Sequence, residues 1–479
     1  MNQPRRDLAS TRERRHLRPI QLRRPMWAAC LLPVLLAACG GGGSGDGGTT
    51  SASCTVAEHK SWVGDYMNDW YFWYRVSPRP DPTPYADAPS YFNALLYTGG
   101  TAAFPQADRF SGSQTTEAFN RFFGDGASLG YGLSVAGLEL AGDGNKPLYV
   151  RYVEPLSPAA SSGVQRGDRV VSINGRSAAD LVTADDFSTL TALQAGDTLS
   201  LVLRRAGVDR SVSLRADVFN LTPVTGTQVV TTAGGRRVGY VAVKDMISQA
   251  LAPLETAFSR FKAEGVQDVV LDLRYNGGGL VSTGGTLASY VAGVRGTGLN
   301  YASLLYNDKR AATNNENFRF SNPNSALGLP RVFVLMGRRT CSASEQLING
   351  LRGANIEVVA VGETTCGKPV GFLPTNACGR TYSVVNFESV NHRNEGRYFD
   401  GLAPVCVVSE DFTAAQGGTA DPLMNAAKVA ADTGFCPAVS AERASPLAAR
   451  AGSLGTDSTS PRRRFDLNEG DGRLGMVAR

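Results

Sequence analysis

Arg331-Val332-Phe333-Val334-Leu335-Met336-Gly337-Arg338-Arg339-Thr340-Cys341-Ser342-Ala343-Ser344-Glu345 is the stretch on which the fold turns. The unbroken apolar run Val332 to Met336 predicts a strand covered on both faces, because a half-exposed strand would alternate with polar residues. A helix is expected from near Ser344, so the chain passes from strand to helix through a turn that carries Ser342. On either side the same alternation continues. Val238 to Val243 reads as a strand; Leu251, Leu254, Phe258 and Phe261 share one face of a helix; Val269 to Leu273 and Glu357 to Val361 read as further strands. This predicts an α/β core.

A serine between a buried strand and a helix has its hydroxyl at a helix N-terminus, where developing negative charge is favoured and the Ala343 N–H serves as an oxyanion donor. Serine needs a base. Of the three histidines, His16 lies in the N-terminal leader, and neither His59 nor His392 follows a strand end. Lys368 does: it stands in Gly362-Glu363-Thr364-Thr365-Cys366-Gly367-Lys368-Pro369, directly after an apolar strand. A lysine acts as a base only when burial populates its neutral form. A third element, Asp272-Leu273-Arg274-Tyr275-Asn276-Gly277-Gly278-Gly279, runs a strand into three glycines, a turn that brings backbone N–H groups close to a reacting carbonyl. Each piece has a plainer reading: Ser344 as a helix cap, the glycines as a loop, Lys368 as a surface charge.

The formal charge of +5 resides in the N-terminus, where residues 1–38 hold eight Arg against Asp7 and Glu13. Without them 40 basic residues face 41 acidic ones, which removes the electrostatic case for nucleic-acid binding. Residues 1–38 are expected to be an export signal, with a short apolar run from Trp27 to Ala38. Leu36-Ala37-Ala38-Cys39 resembles the bacterial lipobox, which implies lipidation of Cys39 and a membrane as partner, and 39–53 is a Gly/Ser-rich tether. The plain alternative is a secretory signal with a fortuitous cysteine. The location expected is a bacterial membrane, the outer membrane on its periplasmic side. Cys54, Cys341, Cys366, Cys378, Cys406 and Cys436 then remain, an even set suited to three disulfides in an oxidising compartment. With no C-x-x-C and so few histidines, no metal and no cofactor is expected.

Residues 54–128 are aromatic-rich, with Trp62, Tyr66, Trp70, Phe72 and Trp73 near helical spacing, and are expected to form a small helical core. Residues 129–217 hold short β-branched runs between Gly, Pro and Asn turns. Within them Ser157-Pro158-Ala159-Ala160, Gly163, Gly167-Asp168-Arg169-Val170 and Ile173-Asn174-Gly175 resemble a PDZ domain. That resemblance implies a sheet edge that takes an extended peptide, with Tyr131-Gly132-Leu133 as the loop receiving a terminal carboxylate. The same glycine also suits an ordinary turn. The core is assigned to 218–436, and 437–479, rich in Ala, Ser, Gly and Arg, to a disordered tail.

From Cys54 to Val408 the chain resembles the tail-specific, or C-terminal processing, peptidases of family S41. The residues that carry the likeness are Asp108-Arg109-Phe110-Ser111, Asp272 to Gly279, Ser342-Ala343-Ser344-Glu345, and Gly362-Glu363-Thr364 with Gly367-Lys368. The fold implied is multidomain α/β: a small N-terminal helical region, a PDZ-like module, and a serine peptidase core of the ClpP/crotonase type. The roles implied are Ser342 as nucleophile, Lys368 as general base, and the N–H groups of Ala343 and Gly278 as the oxyanion hole, acting on protein or peptide substrates; Ser344 is the fallback nucleophile. Two departures stand out. Phe372 occupies the position of a lysine-orienting Gln, and Gly401-Leu402-Ala403-Pro404-Val405-Cys406 lacks the family's acid. Both leave room for a catalytically weak, peptide-binding scaffold as the alternative. Cys341 and Cys366 flank the two expected catalytic residues, so a disulfide between them is one hypothesis and two buried thiols the other.

Overall fold

The computed structural model describes residues 54–437 and 475–478. The leader, Cys39, the tether and most of the tail lie outside the described residues. Among the described residues no helix is long and apolar enough to cross a membrane.

The core is built on a six-stranded sheet in the order Val224–Thr231, Arg237–Val243, Asp268–Asp272, Arg331–Met336, Glu357–Gly362, Cys406–Val407. The first pair is antiparallel and all the others parallel. Parallel neighbours need crossovers, and the helices Leu251–Ala263 and Ala343–Gly353 supply two of them. Side chains alternate across the sheet: Val241 and Val243 enter one apolar cluster, while Val238, Tyr240 and Ala242 enter the other, under the helix Pro422–Thr433. Both faces are therefore dry, which is why these strands read as continuous apolar runs.

A second six-stranded sheet has the order Gly278–Leu280, Gly475–Val477, Val370–Phe372, Val385–Val390, Asn300–Tyr306, Glu316–Arg319. Tyr301, Leu304 and Phe387 from this sheet share a cluster with Leu271, Val334 and the helix residues Leu347, Ile348 and Leu351. The helix that starts at Ala343 is thus packed between two sheets. The strand at Gly475–Val477 departs from the disorder expected for 437–479: Met476 and Val477 are apolar and fill core space that the Ala/Ser/Gly-rich composition around them does not reveal.

Antiparallel strands Arg176–Ser177, Arg169–Ile173, Thr198–Arg205 and Val208–Arg215, with the pair Leu133–Val135 and Val150–Val153, enclose a separate apolar cluster. Chain entry and exit of this module are clasped by the pairing of Ala127–Gly130 with Asp217–Asn220. Arg166 fastens the module to the core, donating to Glu410 at 2.8 Å and Ala414 O at 2.9 Å and touching the Tyr275 hydroxyl. Glu139 pairs with Arg339 at 2.7 Å.

The N-terminal region opens with the helix Val56–Trp70, capped by reciprocal hydrogen bonds between Thr55 and Glu58. Trp62, Tyr66 and Trp70 stack along it, whereas Phe72 and Trp73 lie beyond its end. The region has no closed core of its own. Its aromatics share a cluster with Val370, Phe372, Tyr382, Val384 and Val385, since so small a region cannot bury so much ring surface alone. A disulfide from Cys54 to Cys378 ties it to the same strands, and another joins Cys406 to Cys436.

Candidate active site

Ser342 is the N-cap of the helix Ala343–Gly353 and has φ +62°, a conformation uncommon for a residue with a side chain. Such strain persists only where the surroundings hold it. Here they do: Cys341 N–H and Ser344 Oγ both donate to Asn276 O at 3.0 Å, and Thr340 Oγ1 donates to Leu273 O at 2.8 Å. The serine turn is therefore docked on the glycine turn. Ser344 is one turn position into the helix and spends its hydroxyl on Asn276, so it does not cap the helix. Ser342 Oγ is buried and has no hydrogen-bond partner. The Ala343 N–H opens the helix, where no intrahelical carbonyl precedes it.

Glu345 joins this turn to the lysine loop. Its carboxylate is fully buried and accepts from the N–H groups of Ser342 at 2.9 Å, Gly367 at 2.8 Å and Lys368 at 2.8 Å, and from the Thr365 hydroxyl. Burial pushes this carboxyl above its ordinary range, against the pull of those donors. The disulfide Cys341–Cys366 and the bond from Cys366 N–H to Thr340 O, 3.1 Å, complete the link. Both sulfurs being spent, the cluster of Cys341, Glu345 and Cys366 is not a metal site. The segment lacking the expected acid braces the loop from behind: Leu402 N–H donates to Thr365 Oγ1 at 2.7 Å.

Lys368 is 1% exposed. Its Nζ lies 3.9 Å from the centre of the Phe372 ring and 5.5 Å from that of Phe110. Burial draws its pKa down to about 7, with the Asp108 and Glu345 charges opposing and Arg109 assisting. Phe372, at the position of the expected Gln, thus stands under the amine.

Gly278 differs from the expected role. Its N–H donates to Asn276 Oδ1 at 2.8 Å, because the asparagine closes its own turn, with Nδ2 bound to Val243 O at 2.9 Å. An oxyanion facing this turn would have to draw that N–H from Asn276. The N-terminal region contributes what sequence reasoning left unassigned. Arg109 donates to Cys366 O at 2.9 Å, and Asp108 accepts from the Tyr71 hydroxyl at 2.6 Å and from the N–H groups of Phe110 and Ser111. Asp108-Arg109-Phe110 therefore lines the lysine, a role whose only signal was the motif itself.

On the β-rich module, Gly132 has φ +76° and Ser157 fills the place of its missing side chain, where an added Cβ would come within 2.0 Å of Ser157 Cβ. Tyr131 and Leu133 are buried in the module's cluster. A cavity of about 560 Å³ opens beside this turn, lined by Leu156, Ser157, Pro158, Arg215 and Phe219 among others.

Family models match three segments in order: Peptidase S41 N-terminal domain over 58–112, PDZ domain over 149–205, and Peptidase family S41 over 237–388. The C-terminal processing peptidase, chloroplastic, of Tetradesmus obliquus is 29% identical over 245 residues, 48% of this chain and 50% of that protein. The carboxyl-terminal-processing protease of Synechocystis sp. is 28% identical over 259 residues, 53% and 57% of the two chains. The chain spans about half the length of the curated relatives it matches. A solved structure assigned to the S41 proteases, from Bacteroides fragilis, shares the fold with TM-score 0.58 at 24% identity, covering 77% of this chain and 96% of that one. Two segments similar to peptidase family S41, its N-terminal domain and its peptidase domain, thus flank a segment similar to a PDZ domain, in that order along the chain.

Proposed function

We propose that the chain is a serine endopeptidase that works through Ser342 and Lys368 on protein segments captured by its PDZ domain. The observation that carries this reading is the shared frame: one buried carboxylate, Glu345, holds the backbone of an unpartnered serine and of a lysine whose pKa is drawn to about 7. In the reaction, neutral Lys368 Nζ takes the proton of Ser342 Oγ as the oxygen adds to the substrate carbonyl. Negative charge on the carbonyl oxygen is met by the Ala343 N–H and the helix start. Lys368 then returns the proton to the leaving amine, and water hydrolyses the serine ester by the reverse sequence. The cavity beside Gly132 and Ser157 suits a peptide terminus laid along the module.

Incubation with an unfolded protein and mass-spectrometric reading of new termini tests the assignment. Ser342→Ala is expected to abolish cleavage while peptide binding persists; continued cleavage by that variant sinks it. A weak or inactive peptide-binding scaffold is the second reading, favoured by the Gly278 N–H resting on Asn276 and by Phe372. Labelling of Ser342 by a fluorophosphonate separates the two. Attachment to a membrane through lipidated Cys39 is part of the same proposal, and loss of metabolic lipid labelling in Cys39→Ala tests it.

A further inference from the structure

The segment Gly475–Ala478 lies in the site itself. It runs parallel to two strands at once, Gly475, Met476 and Val477 facing Gly278, Gly279 and Leu280, and Val477 also facing Phe372. Ala478 N–H donates to Phe372 O at 3.0 Å. On one side, then, it pairs with the glycine turn, and on the other with the strand that follows Lys368. Met476, Val477 and Ala478 are 0%, 1% and 3% exposed. The Met476 sulfur accepts from Gln346 Nε2 at 3.3 Å, and Gln346 N–H is bonded to Ser342 O at 2.8 Å, so its side chain sits one helical turn from the serine. At Gly371 a Cβ would meet the Phe387 ring at 2.3 Å and Met476 O at 2.8 Å, so the segment is one of two neighbours that close this position.

Without this segment the sheet has a gap one strand wide between Gly278–Leu280 and Val370–Phe372, each presenting backbone groups to it. A slot with an unpaired edge on both sides takes an extended peptide by strand addition. We infer that Gly475–Ala478 is a tethered occupant of the peptide slot, so that the chain blocks its own site and an outside peptide must displace this segment to reach Ser342. The inference rests on the peptidase reading for the slot's purpose, though not for its geometry. It also specifies the ligand: an extended segment with a methionine-sized apolar side chain beneath Gln346, followed by small apolar residues. An intramolecular strand has a large advantage in effective concentration over a free one, which makes the block effective without a tight interface.

The test uses the full chain and a fluorescent peptide of residues 474–479. In a Ser342→Ala background, Met476→Glu places a charge in an apolar pocket and should expel the segment. The labelled peptide is expected to bind this double variant roughly tenfold or more tighter than Ser342→Ala alone. Equal binding by both, or binding by neither while circular dichroism shows them folded, overturns the inference. If Met476→Glu does not fold, Met476→Ala is read in the same way with a smaller expected gain. With Ser342 intact, Met476→Glu is expected to raise kcat/KM on an unfolded protein. Improved peptide binding with no cleavage by any variant upholds the slot and sinks the peptidase reading. Cleavage by the parent chain that Met476→Glu neither speeds nor accompanies with better peptide binding sinks the self-block alone.

Discussion

Glu345 and Lys368 are two buried ionisable side chains of one site, held in opposite ways. Glu345 is surrounded by donors, three of them backbone N–H groups, which fix where its neighbours sit. Lys368 Nζ lies over the Phe372 and Phe110 rings, and burial lowers its pKa while the Asp108 and Glu345 charges raise it. A satisfied polar network defines geometry. An apolar lining leaves a charge poorly solvated and so sets reactivity. The site separates the two tasks: Glu345 places the serine and lysine backbones, and the rings around Lys368 make its amine a base.

Removing the amine is the most drastic way to break this division. Lys368→Met is expected to lower turnover by about 10³-fold or more, since serine then lacks its base. Stability should move the other way. The folded pKa of about 7 lies below an unfolded value of about 10.4, so the unfolded chain binds the extra proton between these limits. The parent protein therefore gains stability as pH rises from about 7 to about 10, and bears the full burden of a buried ammonium below about 7. Lys368→Met should be more stable than the parent at pH 6, by up to about 5 kcal/mol, with the gap closing by about pH 10. Urea unfolding at the two pH values measures it. A parent more stable than the variant at pH 6 contradicts a base poised by burial.

Glu345→Gln attacks the other half of the comparison. An amide NH₂ in place of one oxygen faces two donors, so a loss of about 2–5 kcal/mol is expected, together with a fall in kcat. Rescue by Glu345→Asp is expected to be poor, because the shorter side chain cannot reach both turns. Unchanged urea midpoints for Glu345→Gln would mean that the disulfide alone holds the two turns together. Cys341→Ser with Cys366→Ser asks that question directly. Closing a loop of sequence separation 25 is worth about 3 kcal/mol, so the double variant should unfold that much more readily. If Glu345 sets the geometry, its KM should stay near the parent's.

How much of this was legible in the sequence follows from the range of each contact. The serine at a strand-to-helix turn, the glycine turn and the lysine after an apolar strand are local patterns, and the sheet order brings their turns together. The strand module was legible from its short runs, Leu199 to Leu203 among them, set between Gly, Pro and Asn turns. What escaped depends on partners distant in the chain. Arg109 meets Cys366 across 257 residues, and no periodicity announces it. Glu345 was visible in the sequence only as the last residue of a motif, and its bonds to the Gly367 and Lys368 N–H groups exist only in the fold. Asn276 looked like part of a glycine-rich loop, yet its side chain takes the Gly278 N–H. Met476 and Val477 are too few apolar residues to signal a strand by themselves, and only the gap between two sheet edges gives them one.

The finest test concerns Phe372, an aromatic ring at the position of the family's Gln. A ring face 3.9 Å from Nζ favours the ammonium over the amine, opposing the burial that lowers the pKa. Phe372→Leu keeps the apolar lining and removes the quadrupole, so the Lys368 pKa should fall further below about 7, by about 1 unit if the ring contributes about 1–2 kcal/mol. The acid limb of the pH profile of kcat/KM should shift down by the same amount, while the plateau changes little. A limb that moves up instead assigns the ring to desolvation, in which case Phe372 acts by excluding water and gives the ammonium no stabilisation of its own.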